Sequence, residues 1–229
     1  MSASGAASGG RARAKGRGAV FFDRDGTLLA GLGYLDDPAQ VELLPGATEA
    51  VRLANELGLV AVVVTNQSAI ARGMLTEARL EEIHDRARRL LAEGGGRVDA
   101  VYYCPHHPSE GHPPYLGPCD CRKPAPGLLL RATREHGIDL DRSYLVGDQR
   151  ADVLAARRAG VVPILVRTGW GGRAADAAGE PVGPPAGRPE ELPEGGRPAY
   201  VASGVLEAIL WIAARNAGEE AGPREVAGR

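Results

Sequence analysis

Apolar runs alternate with helix-type patterns along most of this chain. Residues 59–64 (LVAVVV) are mostly β-branched and lack polar alternation, which is typical of a strand covered on both faces. The pattern predicts strands at 20–22, 59–64, 98–103, 144–146 and 161–166, and helices at 47–57, 76–93, 126–136, 151–159 and 205–214.

The alternation of strands and helices predicts the fold class. Helices between successive strands make right-handed crossovers, so we expect an α/β protein with three layers: a mostly parallel sheet and helices on both of its faces. Gly58, Gly137 and Gly160 lie just past three of the helices, where a left-handed C-cap favours glycine. In such sheets ligands bind at the carboxyl ends of the strands.

The domain organisation predicted from the pattern is one folded domain at 19–216. Residues 1–18 are small, polar and basic, and predict a disordered tail, and 217–229 predict a second one. Between 170 and 198 the pattern dissolves into Gly, Pro, Ala and charged residues, which predicts a flexible insert. The 229 residues suffice for one sizeable core.

Composition narrows the possible partners. The formal net charge is −2, which does not favour binding to nucleic acid or to an acidic membrane surface. No apolar run reaches the length of a membrane span, and no signal-peptide core follows the amino terminus, so we expect a cytoplasmic protein. We also expect a monomer that acts on a small molecule. Lys15 and Lys123 are the only lysines, which singles out Lys123 within the predicted domain.

Two carboxylates follow the first predicted strand. Asp23 and Asp25 are two positions apart, so in extended backbone their side chains share a face and point into one cleft. Like charges there repel unless a cation or a shared proton relieves them. An aspartate at a strand end can attack phosphorus to form an acyl phosphate. We therefore expect Asp23 to be a nucleophile, Asp25 a general acid and base, and Mg²⁺ a cofactor.

Further polar residues follow the other predicted strands and should converge on the same edge of the sheet. Thr65 and Asn66 can donate hydrogen bonds to a transferring phosphoryl group. Lys123 supplies a point charge suited to phosphate. Asp148 offers a hard oxygen ligand for Mg²⁺, and Asp152 can hold a metal-bound water or brace Asp148.

A loop at 104–121 that is rich in proline and glycine carries all the cysteines. A Cys-x-His pair, followed after twelve residues by Cys-x-Cys, is suited to closed tetrahedral zinc, and the predicted ligands are Cys104, His106, Cys119 and Cys121. His107 is the first replacement for the imidazole, and His112 is a further spare. The alternative is three reduced cysteines with ordinary loop histidines. We expect a structural zinc ion, because four protein ligands leave no open position.

Together, these motifs resemble those of the haloacid-dehalogenase superfamily of phosphohydrolases. The matching segments are 23–27 (DRDGT), 65–66 (TN), Lys123 and 147–152 (GDQRAD), and the resemblance covers 19–169. It implies the fold of that superfamily and the same roles for Asp23 and Asp25. It also implies that Thr65 binds a phosphoryl oxygen and that Lys123 steadies the charge. The magnesium ligands it implies are Asp23, the backbone carbonyl of Asp25, and Asp148.

Within the superfamily, the chain is similar to the D,D-heptose 1,7-bisphosphate phosphatases and the related histidinol-phosphate phosphatases, which share a zinc loop and have little or no cap domain. Three stretches favour the heptose branch: 33–35 (GYL), 65–73 (TNQSAIARG) and 102–108 (YYCPHHP). Ala69 stands where that branch usually has glycine, and Gln149 stands where lysine is common. The resemblance implies hydrolysis of the 7-phosphate of D-glycero-D-manno-heptose 1,7-bisphosphate in nucleotide-activated heptose biosynthesis.

A bisphosphate substrate requires a second anion site. Arg122, and with it Arg72, could grip the phosphate that is not cleaved, because guanidinium groups suit phosphate. Hydrolysis of histidinol phosphate is the main alternative. A non-catalytic, zinc-stabilised binding module would require a broken catalytic set. Hydrolysis of a terminal phosphate on DNA is disfavoured by the acidic balance and the scarcity of aromatic residues.

Overall fold

The structure is a computed structural model that describes residues 16–31, 33–169 and 197–218. Most of the two predicted tails and nearly all of the predicted insert lie outside the described residues. The strands are β1 (Ala19–Phe22), β2 (Val60–Asn66), β3 (Ala100–Cys104), β4 (Tyr144–Gly147), β5 (Val162–Val166) and β6 (Tyr200–Ala202). The helices are α1 (Ala47–Glu56), α2 (Glu77–Glu93), α3 (Gly127–His136), α4 (Arg150–Ala159) and α5 (Val205–Asn216).

The described strands form one parallel sheet in the order β3-β2-β1-β4-β5-β6. The chain first builds outward from β1 through β2 to β3, and then returns to the other side of β1 with β4. Parallel sheets bind ligands at the carboxyl ends of their strands, next to such a reversal. The predicted three-layer α/β fold is confirmed.

The central strand β1 is covered on both sides. Phe22 packs into a core with α1 and α5, whereas Phe21 packs into the opposite core with α3 and α4. Both side chains are fully buried, and each burial contributes roughly 1.5–3 kcal/mol. This burial fixes the position at which β1 ends, and therefore the position of the residues that follow it.

The structure differs from the predicted elements at two places that matter. Strand β2 runs to Asn66, so Thr65 and Asn66 are the last residues of that strand rather than the first residues after it. Strand β6 was not predicted at all. The predicted glycine caps are found, since Gly137 and Gly160 end α3 and α4 with φ values of 62° and 80°.

The segments after β1 and β3 bear on the question of a cap domain. Among the described residues, the only helix between β1 and α1 is the 3-10 turn Pro38–Gln40, and the segment between β3 and α3 contains no helix or named strand. This agrees with the predicted minimal cap.

None of the described helices combines the length and the apolar character that crossing a membrane requires.

Candidate active site

The carboxyl ends of β1, β2 and β4 meet at one edge of the sheet and bring the predicted residues together. Asp23 follows β1, Thr65 lies near the end of β2, and Asp148 follows β4. The exposed fractions of these residues are 5 %, 1 % and 0 %. The backbone N–H of Asp23 donates to the carbonyl of Val146 at 2.9 Å, which fixes the start of the loop against β4.

Three buried carboxylates form one cluster at this edge. Asp23, Asp148 and Asp152 each offer one oxygen, and these oxygens lie within 4.8 Å of one another. Lys123 forms ion pairs with two of the three, at 2.8 Å from Asp23 and 2.6 Å from Asp152. Buried negative charge requires compensation, and a set of carboxylate oxygens is the kind of site that Mg²⁺ prefers. The donor set therefore fits magnesium.

Lys123 is a buried cation of the site, with 4 % of the residue exposed. Its ammonium contacts Asp23, Asp152 and the backbone carbonyl of Val64, the last at 2.9 Å. Burial opposes the charge of Lys123, but Asp152 and Asp23 raise its pKa overall. Lys123 therefore remains charged.

The carboxyl group of Asp23 has a strongly shifted pKa. Burial raises the pKa of Asp23 to about 7; Lys123 opposes this rise, while Asp152 and Asp25 add to it. A cation bound to the cluster would favour the ionised form. That form is the one able to attack phosphorus.

Asn66, the last residue of β2, holds the loop that carries Lys123. The amide of Asn66 donates to the backbone carbonyl of Lys123 at 3.1 Å and accepts from its N–H at 3.0 Å. This contact uses one of the two amide hydrogens of Asn66, and the hydrogen bond from this amide to a phosphoryl group stays a prediction. The hydroxyl of Thr65 accepts from Gln67 at 2.8 Å, and its own proton can still be donated to a ligand.

Asp25 is held by two residues that the sequence analysis did not assign to the site. Arg24 donates from Nε to Oδ1 of Asp25 at 3.0 Å and from the terminal NH2 to Oδ2 at 2.9 Å. Gln67 donates to the same Oδ2 at 2.8 Å. The side chain of Asp25 is nevertheless 31 % exposed, so it remains accessible to a ligand.

Asp152 connects the start of α4 to the site. One of its oxygens pairs with Lys123, and the other accepts from the backbone N–H of Gln149 at 3.0 Å. A Cβ atom at Gly147 would lie 2.4 Å from the carboxyl carbon of Asp152, so this approach requires glycine. These two contacts brace Lys123 and the start of α4. The side chain of Gln149 is exposed.

The predicted zinc ligands lie together in the loop after β3. The three sulfur–sulfur distances are 3.1 Å, 3.3 Å and 3.6 Å, and Nδ1 of His106 lies 3.4 Å from Cys121 and 3.7 Å from Cys104. Tetrahedral zinc with Zn–S bonds of about 2.3 Å separates its sulfur ligands by roughly 3.8 Å. The four groups, Cys104, His106, Cys119 and Cys121, therefore fit a closed zinc site with a small expansion.

The other two loop histidines lie outside this cluster. Nδ1 of His107 accepts from the backbone of Glu110 at 2.9 Å, which shapes the loop. His112 is exposed, and its backbone N–H donates to the carbonyl of Ala71 at 2.8 Å.

A hydrogen bond with Cys104 lowers the pKa of Cys121 to about 5, although burial opposes this shift. The lowered pKa favours the thiolate form of Cys121, which is the form that binds zinc.

The two arginines predicted to bind a second phosphate lie at this loop. The guanidinium of Arg72 contacts Tyr34, pairs with Glu110 at 3.1 Å, and lies 3.4 Å from His107. Arg122 donates to the backbone carbonyl of the zinc-ligand candidate His106 at 3.1 Å. Burial lowers the pKa of His107, and the charges of Arg122 and Arg72 lower it further. Both arginines therefore lie close to one histidine.

Two family models match the chain. The model described as haloacid dehalogenase-like hydrolase matches residues 30–160, and the model described as HAD-hydrolase-like matches residues 120–208. The first match alone covers more than half of the chain.

Curated relatives and solved structures agree with these matches. Proteins named D-glycero-beta-D-manno-heptose-1,7-bisphosphate 7-phosphatase are 44% identical over 157 residues in Escherichia coli K12 (68% of this chain, 82% of the relative) and 42% identical over 152 residues in Yersinia pestis (66% and 81%).

The D,D-heptose 1,7-bisphosphate phosphatase from B. bronchiseptica, solved with magnesium and phosphate, has a TM-score of 0.69 at 34% identity, over 86% of this chain and 99% of its own. The corresponding enzyme from Burkholderia thailandensis has a TM-score of 0.57 at 29% identity, over 85% and 97%. The chain therefore belongs to the haloacid dehalogenase-like hydrolases, and the two curated relatives compared above are named as heptose-bisphosphate phosphatases.

Proposed function

We propose that this protein is a magnesium-dependent phosphatase that removes the 7-phosphate of D-glycero-D-manno-heptose 1,7-bisphosphate. The observation that carries the proposal is the convergence of Asp23, Asp25, Lys123 and Asp148 at one sheet edge. The chain is also 44% identical to a relative that is named for this activity. The product would enter nucleotide-activated heptose biosynthesis.

The proposed reaction has two displacements at phosphorus. A carboxylate oxygen of Asp23 bonds to phosphorus while the bond from phosphorus to the sugar oxygen breaks, and Asp25 gives its proton to that oxygen. Asp25 then takes a proton from a water molecule whose oxygen attacks phosphorus, and the bond to Asp23 breaks. The products are the sugar alcohol and inorganic phosphate, and both aspartates regain their starting protonation states.

The surrounding residues provide charge and hydrogen bonds for these steps. Lys123 lies 2.8 Å from Asp23 and offsets negative charge at the reacting centre. Thr65 would donate its hydroxyl proton to a phosphoryl oxygen. Magnesium bound by the carboxylates of Asp23 and Asp148, and by the backbone carbonyl of Asp25, would supply positive charge that offsets the repulsion between the anionic nucleophile and the anionic substrate.

Arg122 and Arg72 are the proposed site for the 1-phosphate. Both contact the zinc loop, and Arg122 is anchored on the backbone of His106. Zinc would therefore have a structural role, holding the loop that presents these cations. Histidinol phosphate carries one phosphate and a cationic amine, so a pair of arginines favours the bisphosphate over that alternative.

A comparison of substrates tests the proposal. Phosphate release with magnesium is measured for heptose 1,7-bisphosphate and histidinol phosphate side by side, and phosphorus NMR identifies the phosphate that is lost. We expect kcat/KM to be at least about tenfold higher for the bisphosphate, with loss of the 7-phosphate, because one charge-assisted contact alone is worth that much. If histidinol phosphate were preferred by orders of magnitude, the heptose proposal would be wrong.

The second anion site has its own test. Arg122→Met should raise KM for the 1,7-bisphosphate by about tenfold or more, and should leave KM for heptose 7-phosphate within about threefold, because the monophosphate lacks the group that Arg122 binds. Arg131→Met on the exposed side of α3 is the matched control, and should change neither KM. Equal effects on both substrates would contradict the assignment.

The setting of the enzyme is also a proposal: a monomer in the cytoplasm that acts on a small phosphorylated sugar. The support is the clustering of three free cysteines at spacings suited to zinc, which is typical of a reducing compartment. Light scattering of the purified full chain tests the monomer.

A further inference from the structure

Arg24 is a buried arginine directly between the two aspartates of the site. Only 3 % of the residue is exposed, although an arginine is rarely buried without a specific partner. Two of its nitrogens bind the two oxygens of Asp25, at 3.0 Å and 2.9 Å. This bidentate contact fixes both the position and the plane of the carboxylate.

The far side of the same guanidinium meets His84 of α2. The terminal NH1 of Arg24 lies 3.2 Å from Nε2 of His84. Because arginine can only donate, Nε2 of His84 must accept, and the ring proton is therefore on Nδ1. Burial, with the charges of Arg24 and Arg88, lowers the pKa of His84 to about 3, so the ring is neutral. His84 is itself 2 % exposed and cannot move freely.

We propose that Arg24 and His84 are positioning residues for the reaction: His84 orients the guanidinium of Arg24, and Arg24 holds the carboxyl group of Asp25 where the leaving oxygen departs. The inference rests on the proposed function, in which Asp25 is the general acid. It extends that function to α2, a helix with no residue in the site described above.

Positioning matters here because the side chain of Asp25 is partly exposed and would otherwise rotate. Proton transfer requires the donor oxygen within hydrogen-bond distance of the leaving oxygen, and small displacements reduce the rate strongly. Gln67 restrains one oxygen of Asp25 from another direction. The Arg24 fork and the His84 acceptor restrain the whole carboxylate.

Substrates with different leaving groups distinguish a positioning role of Arg24 and His84 from a purely structural one. A sugar alkoxide must be protonated as it leaves, whereas 4-nitrophenolate leaves without a proton. Loosening Asp25 should therefore slow transfer of the phosphoryl group from the sugar phosphate to Asp23. It should not slow the same step with 4-nitrophenyl phosphate. A general loss of structure would slow both.

The experiment uses the full chain with magnesium, and rapid quenching to measure formation of the phosphoryl-enzyme. His84→Leu removes the acceptor for Arg24, and His84→Gln restores one through its amide oxygen. For His84→Leu we expect about a tenfold lower rate with heptose 1,7-bisphosphate, an unchanged KM, and a rate with 4-nitrophenyl phosphate within about twofold of the parent. His84→Gln should recover most of the loss. Arg24→Lys, which keeps the charge but loses the fork, should behave like His84→Leu.

The outcomes distinguish this inference from the proposed function. Parent-like rates for His84→Leu, or equal slowing with both substrates, would overturn the positioning roles. The His84 pair decides the matter even if Arg24→Lys does not fold. Asp25→Asn is the reference variant: if it shows no dependence on the leaving group, the acid role of Asp25 fails and the inference fails with it. If Asp25→Asn is selective and His84→Leu is not, only the inference fails.

Discussion

Asp23 combines burial, a positive neighbour and two negative neighbours in one residue. Its pKa rises to about 7 although Lys123 is only 2.8 Å away, because burial is the largest contribution. Carboxyl groups with pKa values shifted by burial and by specific charged neighbours cluster at functional sites.

Asp23→Asn tests the proposed nucleophile. We expect kcat to fall by on the order of 10³ or more, because the amide cannot form the acyl phosphate, while circular dichroism shows a retained fold. Asp99→Asn is the matched control, since Asp99 accepts from Ala61 near the start of β2 and lies outside the site. A near-parent rate in Asp23→Asn would show that Asp23 is not the nucleophile.

His84 provides a prediction about pH. The pKa of His84 is about 3 in the folded protein, against a usual value near 6.5 in the unfolded chain. Between these values the unfolded state binds the additional proton, so the stability of the fold decreases as the pH falls from 6.5 towards 3.

The predicted size of this effect is measurable. Between pH 6.5 and 4.5 the parent should lose about 2 kcal/mol more free energy of unfolding than His84→Gln, because each unit corresponds to about 1.4 kcal/mol. Urea titrations at both pH values measure it. Because carboxylates elsewhere titrate in both proteins, only the difference reports on His84. Identical pH dependence would mean that the pKa of His84 is the same in the folded and the unfolded protein.

Sequence patterns identified the residues whose chemistry is local. The DRDGT segment and the isolated Lys123 were predictable, because a strand end and a rare residue type are visible along the chain. The roles of Arg24 and Asn66 were not, since each depends on a partner about 60 residues away, at His84 and Lys123. Nothing in the local pattern indicates such pairs.

At the level of elements, the amide of Asn66 joins the end of β2 to the loop that carries Lys123. Asn55 makes the same two-bond contact with the backbone of Arg97, outside the site, and is therefore a matched control. Asn66→Ala should cost about 1–3 kcal/mol of stability and lower kcat/KM about tenfold, because Lys123 loses its support. Asn55→Ala should affect stability alone. Equal activity of the two variants would contradict the link between Asn66 and Lys123.

The loop after β3 depends on its four clustered ligand groups. Cys119→Ser should lower the zinc content and decrease the melting temperature by roughly 5–10 °C, as expected for a loss of about 2–3 kcal/mol in a protein of this size. The activity should fall with them, because Arg122 and Lys123 follow Cys121 directly. Metal analysis and thermal unfolding measure these effects, with Ser109→Ala as the loop control. Equal zinc content in variant and parent would exclude Cys119 as a ligand.

Strand β6 shows where element prediction from sequence stops. Tyr200–Ala202 has only three residues, too few for a periodic signal. It is a strand because it pairs with β5, with Val166 opposite Ala202, and because Tyr200 stacks on Trp211 of α5 with ring centres 5.0 Å apart. Both contacts form only in the folded chain, so the local sequence pattern does not predict this strand.

On the scale of the whole molecule, the strand order explains why one edge carries the chemistry. Because β2 and β4 pair with opposite sides of β1, the loops after β1, β2 and β4 are neighbours. The alternating pattern of strands and helices was sufficient to predict this convergence. It could not predict the distances within the site, which depend on how α2, α4 and the zinc loop pack around it.

In the proposed reaction, Asp23 carries the phosphoryl group during hydrolysis of heptose 1,7-bisphosphate. The most direct test is to quench the enzyme with acid during turnover with magnesium and locate the modified peptide by mass spectrometry. We expect the added mass of one phosphoryl group on the peptide that contains Asp23, and no such peptide from Asp23→Asn. A phosphoryl group on another residue, or continued turnover by Asp23→Asn, would contradict it.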